Sequence, residues 1–148
     1  GDMPFIDVSA VIKLGKYLQK GFCEIATLAS KIKNSNENEN ENVVKVITKE
    51  KIENTEISEA TDFRRTKVNQ SNEFAYHHIG VYAFTKKALT NYVNLKRSKL
   101  ELERKLEQMR ALENKIKIHV VYTTSSPLSV DTEADLEEIK NIMEKNNV

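Results

Sequence analysis

The chain has 148 residues, 39% hydrophobic and 30% charged, enough for one soluble domain with a buried core. Its 23 basic and 22 acidic residues leave a net charge of +1, which gives no electrostatic case for nucleic acid or an anionic membrane as the main partner. A single cysteine, Cys23, excludes an internal disulfide framework and fits a reducing cytosol, and no apolar run reaches a membrane span.

The first seven residues, GDMPFID, form a turn of the kind that leaves a strand, with Asp2 in the turn. They lack the basic and apolar regions of a signal peptide. DVSAVIKLGKYLQK repeats apolar residues at Val8, Val11, Ile12, Leu14 and Leu18, which predicts a helix capped by Asp7 and stopped near Gly21. FCEIATLASKI follows as an apolar strand in which Cys23 is a small core residue. Residues 34–42 are low-complexity Asn and Glu, read as a mobile surface loop. VVKVIT at 43–48 is a strand by its β-branched content, TEISEA is one more candidate strand in the polar stretch 49–71, and AYHHIGVYAF is another. TKKALTNYVNL reads as a short helix. SKLELERKLEQMRALEN reads as a longer one, opened by a Ser98/Glu101 capping box and buried along Leu102, Leu106, Met109 and Leu112. KIKIHVVY alternates Ile116, Ile118 and Val120 against Lys115, Lys117 and His119, as a strand with one wet face does. A last helix is opened by Thr132, with Asp135 in its first turn and Leu136, Ile139 and Met143 inward. The pattern is a single mixed α/β layer domain, 1–148.

Four groups could carry chemistry. Asp2 and Asp131 are carboxylates at turns, and a hard cation such as Mg²⁺ takes one or two carboxylates with water and phosphate oxygens. The same residues also read as a chain terminus and a helix cap. His78, Gly80 and Tyr82 share one strand face, where Gly80 permits close approach of a ligand or backbone; an edge strand with polar tips has the same pattern. Glu107, Gln108 and Arg110 flank the predicted buried stripe, which also describes a solvated helix face. No Gly-rich phosphate loop and no nucleophile triad are present, with only four glycines in the chain.

In series, GDMPFI, ATLASKI, NVVKVI, HHIGVYAF, LEQMRALENKIKIHVV and SVDTEADLEEIK resemble the 3-deoxy-manno-octulosonate (Kdo) cytidylyltransferase family. The resemblance covers most of the chain and is densest from Tyr76 onward. It implies a Rossmann-like sugar-nucleotidyltransferase sheet with flanking helices, incomplete at its N-terminus. It implies a cytoplasmic transferase that moves CMP from CTP to Kdo with loss of pyrophosphate, for lipopolysaccharide biosynthesis. On this resemblance Asp2 and Asp131 are the catalytic Mg²⁺ ligands, and His78, Tyr82, Glu107 and Gln108 line the sugar site. A homodimer is expected, with the strands between Val43 and Phe84 as pairing edges.

Two departures accompany the resemblance. The family's CTP-binding front has no counterpart in this sequence, so an apolar sheet edge and little activity by itself are expected. The family's Ser-Arg pair aligns with Ser58 and Glu59, which sets a glutamate against a carboxylate substrate, with Arg64 and Arg65 nearby. Two other readings stand beside it: a cytidylyltransferase for another sugar acid, and a non-catalytic remnant or dimerisation module of the fold.

Overall fold

The computed structural model describes residues 8–124. The elements run α1 (Val8–Gln19), β1 (Ile25–Ser30), α2 (Ser35–Glu39), β2 (Lys45–Thr48), α3 (Ile52–Thr55), β3 (Ile57–Arg64), β4 (Phe74–Phe84), α4 (Lys86–Val93), α5 (Lys99–Arg104), α6 (Met109–Glu113) and β5 (His119–Tyr122). The strands pair in the order β1-β4-β2-β3-β5, and β5 returns to β1. The β1–β5 pair is parallel and the other four pairings are antiparallel. The result is an α/β sheet with flanking helices. Each described strand has two neighbours, so the apolar edge expected from the sequence is absent among the described residues, and strand pairing through β2 to β4 is already taken up within the chain.

Helix α1 ends at Gly21, which takes the left-handed conformation with φ +78° that glycine adopts without strain. All six residues of β1 are buried because the strand lies between β4 and β5 with both faces covered. One face joins Ile25, Val46, Phe63, Tyr76 and Val120 to Met109 and Ala111 of α6. The other packs Ala26, Leu28, Ile79 and Val121 under Ala10 and Leu14 of α1, with Cys23 beside them as a core residue.

Four expectations are corrected. Residues 34–42 are not a free loop: Asn34 caps the short α2, and buried Asn38 exchanges two hydrogen bonds with the Val68 backbone, at 2.9 and 3.0 Å. The predicted helix over 98–114 is two helices, broken at Lys105 with φ 57°. The break is held from outside, since Arg65 donates to the Arg104 and Lys105 carbonyls, and it turns Leu102 outward to 57% exposure. The TEISEA strand extends to Arg64, because residues 62–64 pair with Lys45–Ile47 of β2, while Asp62 holds Arg64 and Arg104 at 2.6 Å each. Gly80 admits a Cβ without meeting any atom within 4 Å, so no other backbone among the described residues makes the close approach expected there. Asp2, Asp131, the Asp7 cap and the helix from Thr132 lie outside the described residues.

Candidate active site

Sequence alternation alone would send successive β4 side chains to opposite faces. The strand keeps it across an irregularity: Thr27 of β1 faces Tyr82, but Leu28 faces Ile79, so Gly80 and Val81 form a two-residue bulge that leaves Tyr76, Tyr82 and Phe84 on one side and Ile79, Val81 and Ala83 on the other. His78 and Tyr82 come into ring contact at 5.5 Å between centroids. They belong to a row of pairwise contacts running Phe63, His78, Tyr82, Phe84 and Tyr92, closed by the Arg110 guanidinium 5.0 Å over the Tyr92 ring.

Beside this row lies a cavity of about 250 Å³ between β4, α4 and the start of α6. Tyr82, Glu107 and Gln108 line it, on an otherwise apolar wall that includes Ile25, Phe84 and Tyr92. A mostly apolar concavity with a few polar groups is the usual form of a small-molecule site. Three of the four expected sugar-site residues therefore meet. His78 does not line this cavity; it is buried behind Tyr82, between that ring and Phe63.

The wall at Glu107 and Gln108 is braced. Tyr92 donates from its hydroxyl to the Glu107 carbonyl at 3.1 Å. Arg110 binds Glu101 through two hydrogen bonds, at 2.9 and 2.6 Å, and holds that carboxyl below the usual carboxylate range. Glu101 in turn accepts from the Ser98 backbone, completing the predicted capping box.

His78 and Tyr82 are held neutral by burial. Burial, with His77 adjacent, pushes the His78 imidazole down to about 3. Burial pushes the Tyr82 hydroxyl well above its ordinary value, and its oxygen has no hydrogen-bond partner among the described residues. A buried hydroxyl without a partner is the feature a polar ligand satisfies.

Ser58 and Glu59 do not reach this cavity. The Ser58 hydroxyl accepts from the Glu50 backbone, and Glu59 pairs with Lys49 at 2.8 Å and Lys117 at 3.4 Å, on a separate surface hollow with His119. The expected repulsion of a bound carboxylate by Glu59 is thereby removed from this cavity. Arg64 is paired with Asp62 and Glu73, and Arg65 donates to three backbone carbonyls. Sequence reasoning missed Thr27 and Tyr92, whose side chains gain their meaning only from the bulge and the aromatic row. Among the described residues no three His, Cys, Asp or Glu side chains cluster as a metal site, and no helix is long and apolar enough to cross a membrane.

The sheet and its flanking helices match the α/β nucleotidyltransferase fold, as the superposition on a solved structure below shows. The chain belongs to the cytidylyltransferase family, whose pattern it matches over residues 1–118. It is 41% identical to a 3-deoxy-manno-octulosonate cytidylyltransferase of Bartonella bacilliformis over 143 residues, 97% of this chain and 58% of that protein. The Rhizobium meliloti enzyme of the same name is 39% identical over 97% of this chain and 56% of its own length. The Rickettsia canadensis enzyme is 35% identical over 93% of this chain and 54% of its own length. A solved CMP:2-keto-3-deoxy-manno-octonic acid synthetase complexed with CTP superposes with a TM-score of 0.70 at 27% identity, covering 98% of this chain and 59% of that one. The chain thus spans little more than half the length of the relatives it matches.

Proposed function

We propose that this chain supplies the sugar-acid side of a cytoplasmic cytidylyltransferase that joins CMP to Kdo for lipopolysaccharide biosynthesis. In that reaction the anomeric hydroxyl oxygen of Kdo bonds to the α-phosphorus of CTP, and pyrophosphate leaves. The observation that carries the reading is the convergence of Tyr82, Glu107 and Gln108 on one cavity in a chain of this family. Their chemistry suits a polyol: the Glu107 carboxylate accepts from hydroxyls, Gln108 both donates and accepts, and Tyr82 holds a hydroxyl without a partner.

Mg²⁺ belongs to the proposal through Asp2 and Asp131, on the family resemblance alone. Bound there, it would neutralise phosphate charge. A homodimer is part of the same reading.

The test is a thermal melt of the chain with Kdo, CTP and Mg²⁺, singly and together, since a ligand of the folded state raises the midpoint by mass action. Kdo is expected to raise it, while CTP and Kdo together yield little pyrophosphate with this chain by itself. A cooperative melt indifferent to millimolar Kdo would overturn the reading and favour a non-catalytic module.

A further inference from the structure

We propose that Thr27 is a positioning residue of this site: its hydroxyl locks His78 as the Nε2–H tautomer and pins the β4 bulge that presents Tyr82. The argument is one of hydrogen counting. The Thr27 hydroxyl has one hydrogen, and it lies 2.7 Å from the Val81 carbonyl oxygen and 3.2 Å from that of Ile79. Carbonyl oxygens only accept, so the hydroxyl donates to the bulge. His78 Nε2 lies 2.8 Å from the same Thr27 oxygen. With the hydroxyl hydrogen already committed, that contact is a bond only if Nε2 carries the proton and donates.

Thr27 itself is fully buried on β1, opposite Tyr82 and beside Val120, so the hydroxyl has no water to turn toward. One side chain therefore bonds the bulge backbone and the imidazole at once. The consequence for recognition is specific. The remaining ring nitrogen, Nδ1, is an acceptor and carries no proton. Held behind Tyr82 and outside the cavity lining, a neutral His78 of this tautomer has no proton at Nδ1 to offer a carboxylate and acts on the site through the Tyr82 ring. Recognition of the acid group therefore has to come from elsewhere.

The ligand part of this inference rests on the proposed function; the tautomer part does not. The experiment is two-bond ¹H–¹⁵N correlation of the three imidazoles in the ¹⁵N-labelled chain, with the His78 signals assigned by His78→Gln. Wild type is expected to show protonated Nε2 and bare Nδ1 for His78, unchanged between pH 6 and 8. Thr27→Ser keeps the pattern and binds Kdo within twofold of wild type. Thr27→Val, of nearly the same shape, loses the pure Nε2–H signature and weakens Kdo binding about tenfold. An Nδ1–H signature in wild type overturns the inference, as does Thr27→Val with the wild-type pattern. Should Thr27→Val not fold, the wild-type and Thr27→Ser spectra still decide the tautomer. Wild type that keeps the predicted tautomer yet ignores Kdo sinks the proposed substrate and leaves the lock standing.

Discussion

Tyr82→Phe separates stability from recognition at a single atom. The Tyr82 hydroxyl is buried, and no donor or acceptor among the described residues meets it. A buried polar group without a partner costs about 1–3 kcal/mol. Phenylalanine keeps the ring contacts with His78 and Phe84 and removes only the oxygen. The unliganded chain should therefore gain stability, by about 1 kcal/mol if the site relaxes partly in wild type. For a domain of this size that is a rise of about 3 °C in the melting midpoint. Urea denaturation gives the free energy directly, and an unchanged slope confirms that the same surface unfolds. Kdo binding should move the other way and weaken about tenfold, because the variant lacks the donor that the ligand satisfies. A Tyr82→Phe chain that is less stable than wild type, with binding intact, refutes the reasoning: the hydroxyl would then have a partner in the free protein.

Asn38→Ala strands both the N–H and the C=O of Val68 in a buried position. It should cost about 2 kcal/mol in urea unfolding, whereas Asn36→Ala, on an exposed position of the same segment, should be near neutral. Equal effects of the two would return residues 34–42 to the status of a free loop. The His78 imidazole has a folded-state pKa lowered to about 3 from an ordinary 6.5. Only the unfolded chain then takes up this proton as pH falls below about 6.5. Its contribution to stability is complete above that pH and declines toward pH 3, by up to about 1.4 kcal/mol per unit. His78→Gln should flatten that slope between pH 6.5 and 5; an unchanged slope would place the proton uptake on another group.

Where the sequence pattern and the local chemistry agree, the fold was legible. The Ser98/Glu101 capping box, the stop at Gly21 and the strands at β1, β2 and β4 all follow from short-range rules. Tyr82, Glu107 and Gln108 were legible through family resemblance, and the fold does bring them together. What stayed hidden depends on partners remote in sequence. Lys45 sits amid β-branched residues as though facing solvent, yet it is fully buried, with Nζ donating to the Asn40 and Arg65 carbonyls. The helix break at Lys105 is fastened by Arg65, 40 residues away. The bulge at Gly80 and Val81 has Gly80 as its one local sign, but its two-residue size is set by the pairing of β4 with Thr27 and Leu28 of β1. Thr27 is one polar residue in an apolar run, and its partners all come from β4, some fifty residues away.

The aromatic row also makes the cavity optically readable. The chain has five tyrosines and no tryptophan, so its intrinsic ultraviolet emission comes from tyrosine alone. Two of the five, Tyr82 and Tyr92, stand on the cavity wall. Of these, Tyr82 has a hydroxyl that a ligand could engage, and Tyr92 lies under a guanidinium. Any occupant that bonds to Tyr82 changes the electronic surroundings of a chromophore already in place. Without dye or label, the protein carries its own titration signal, and in Tyr82→Phe the same experiment has its blank.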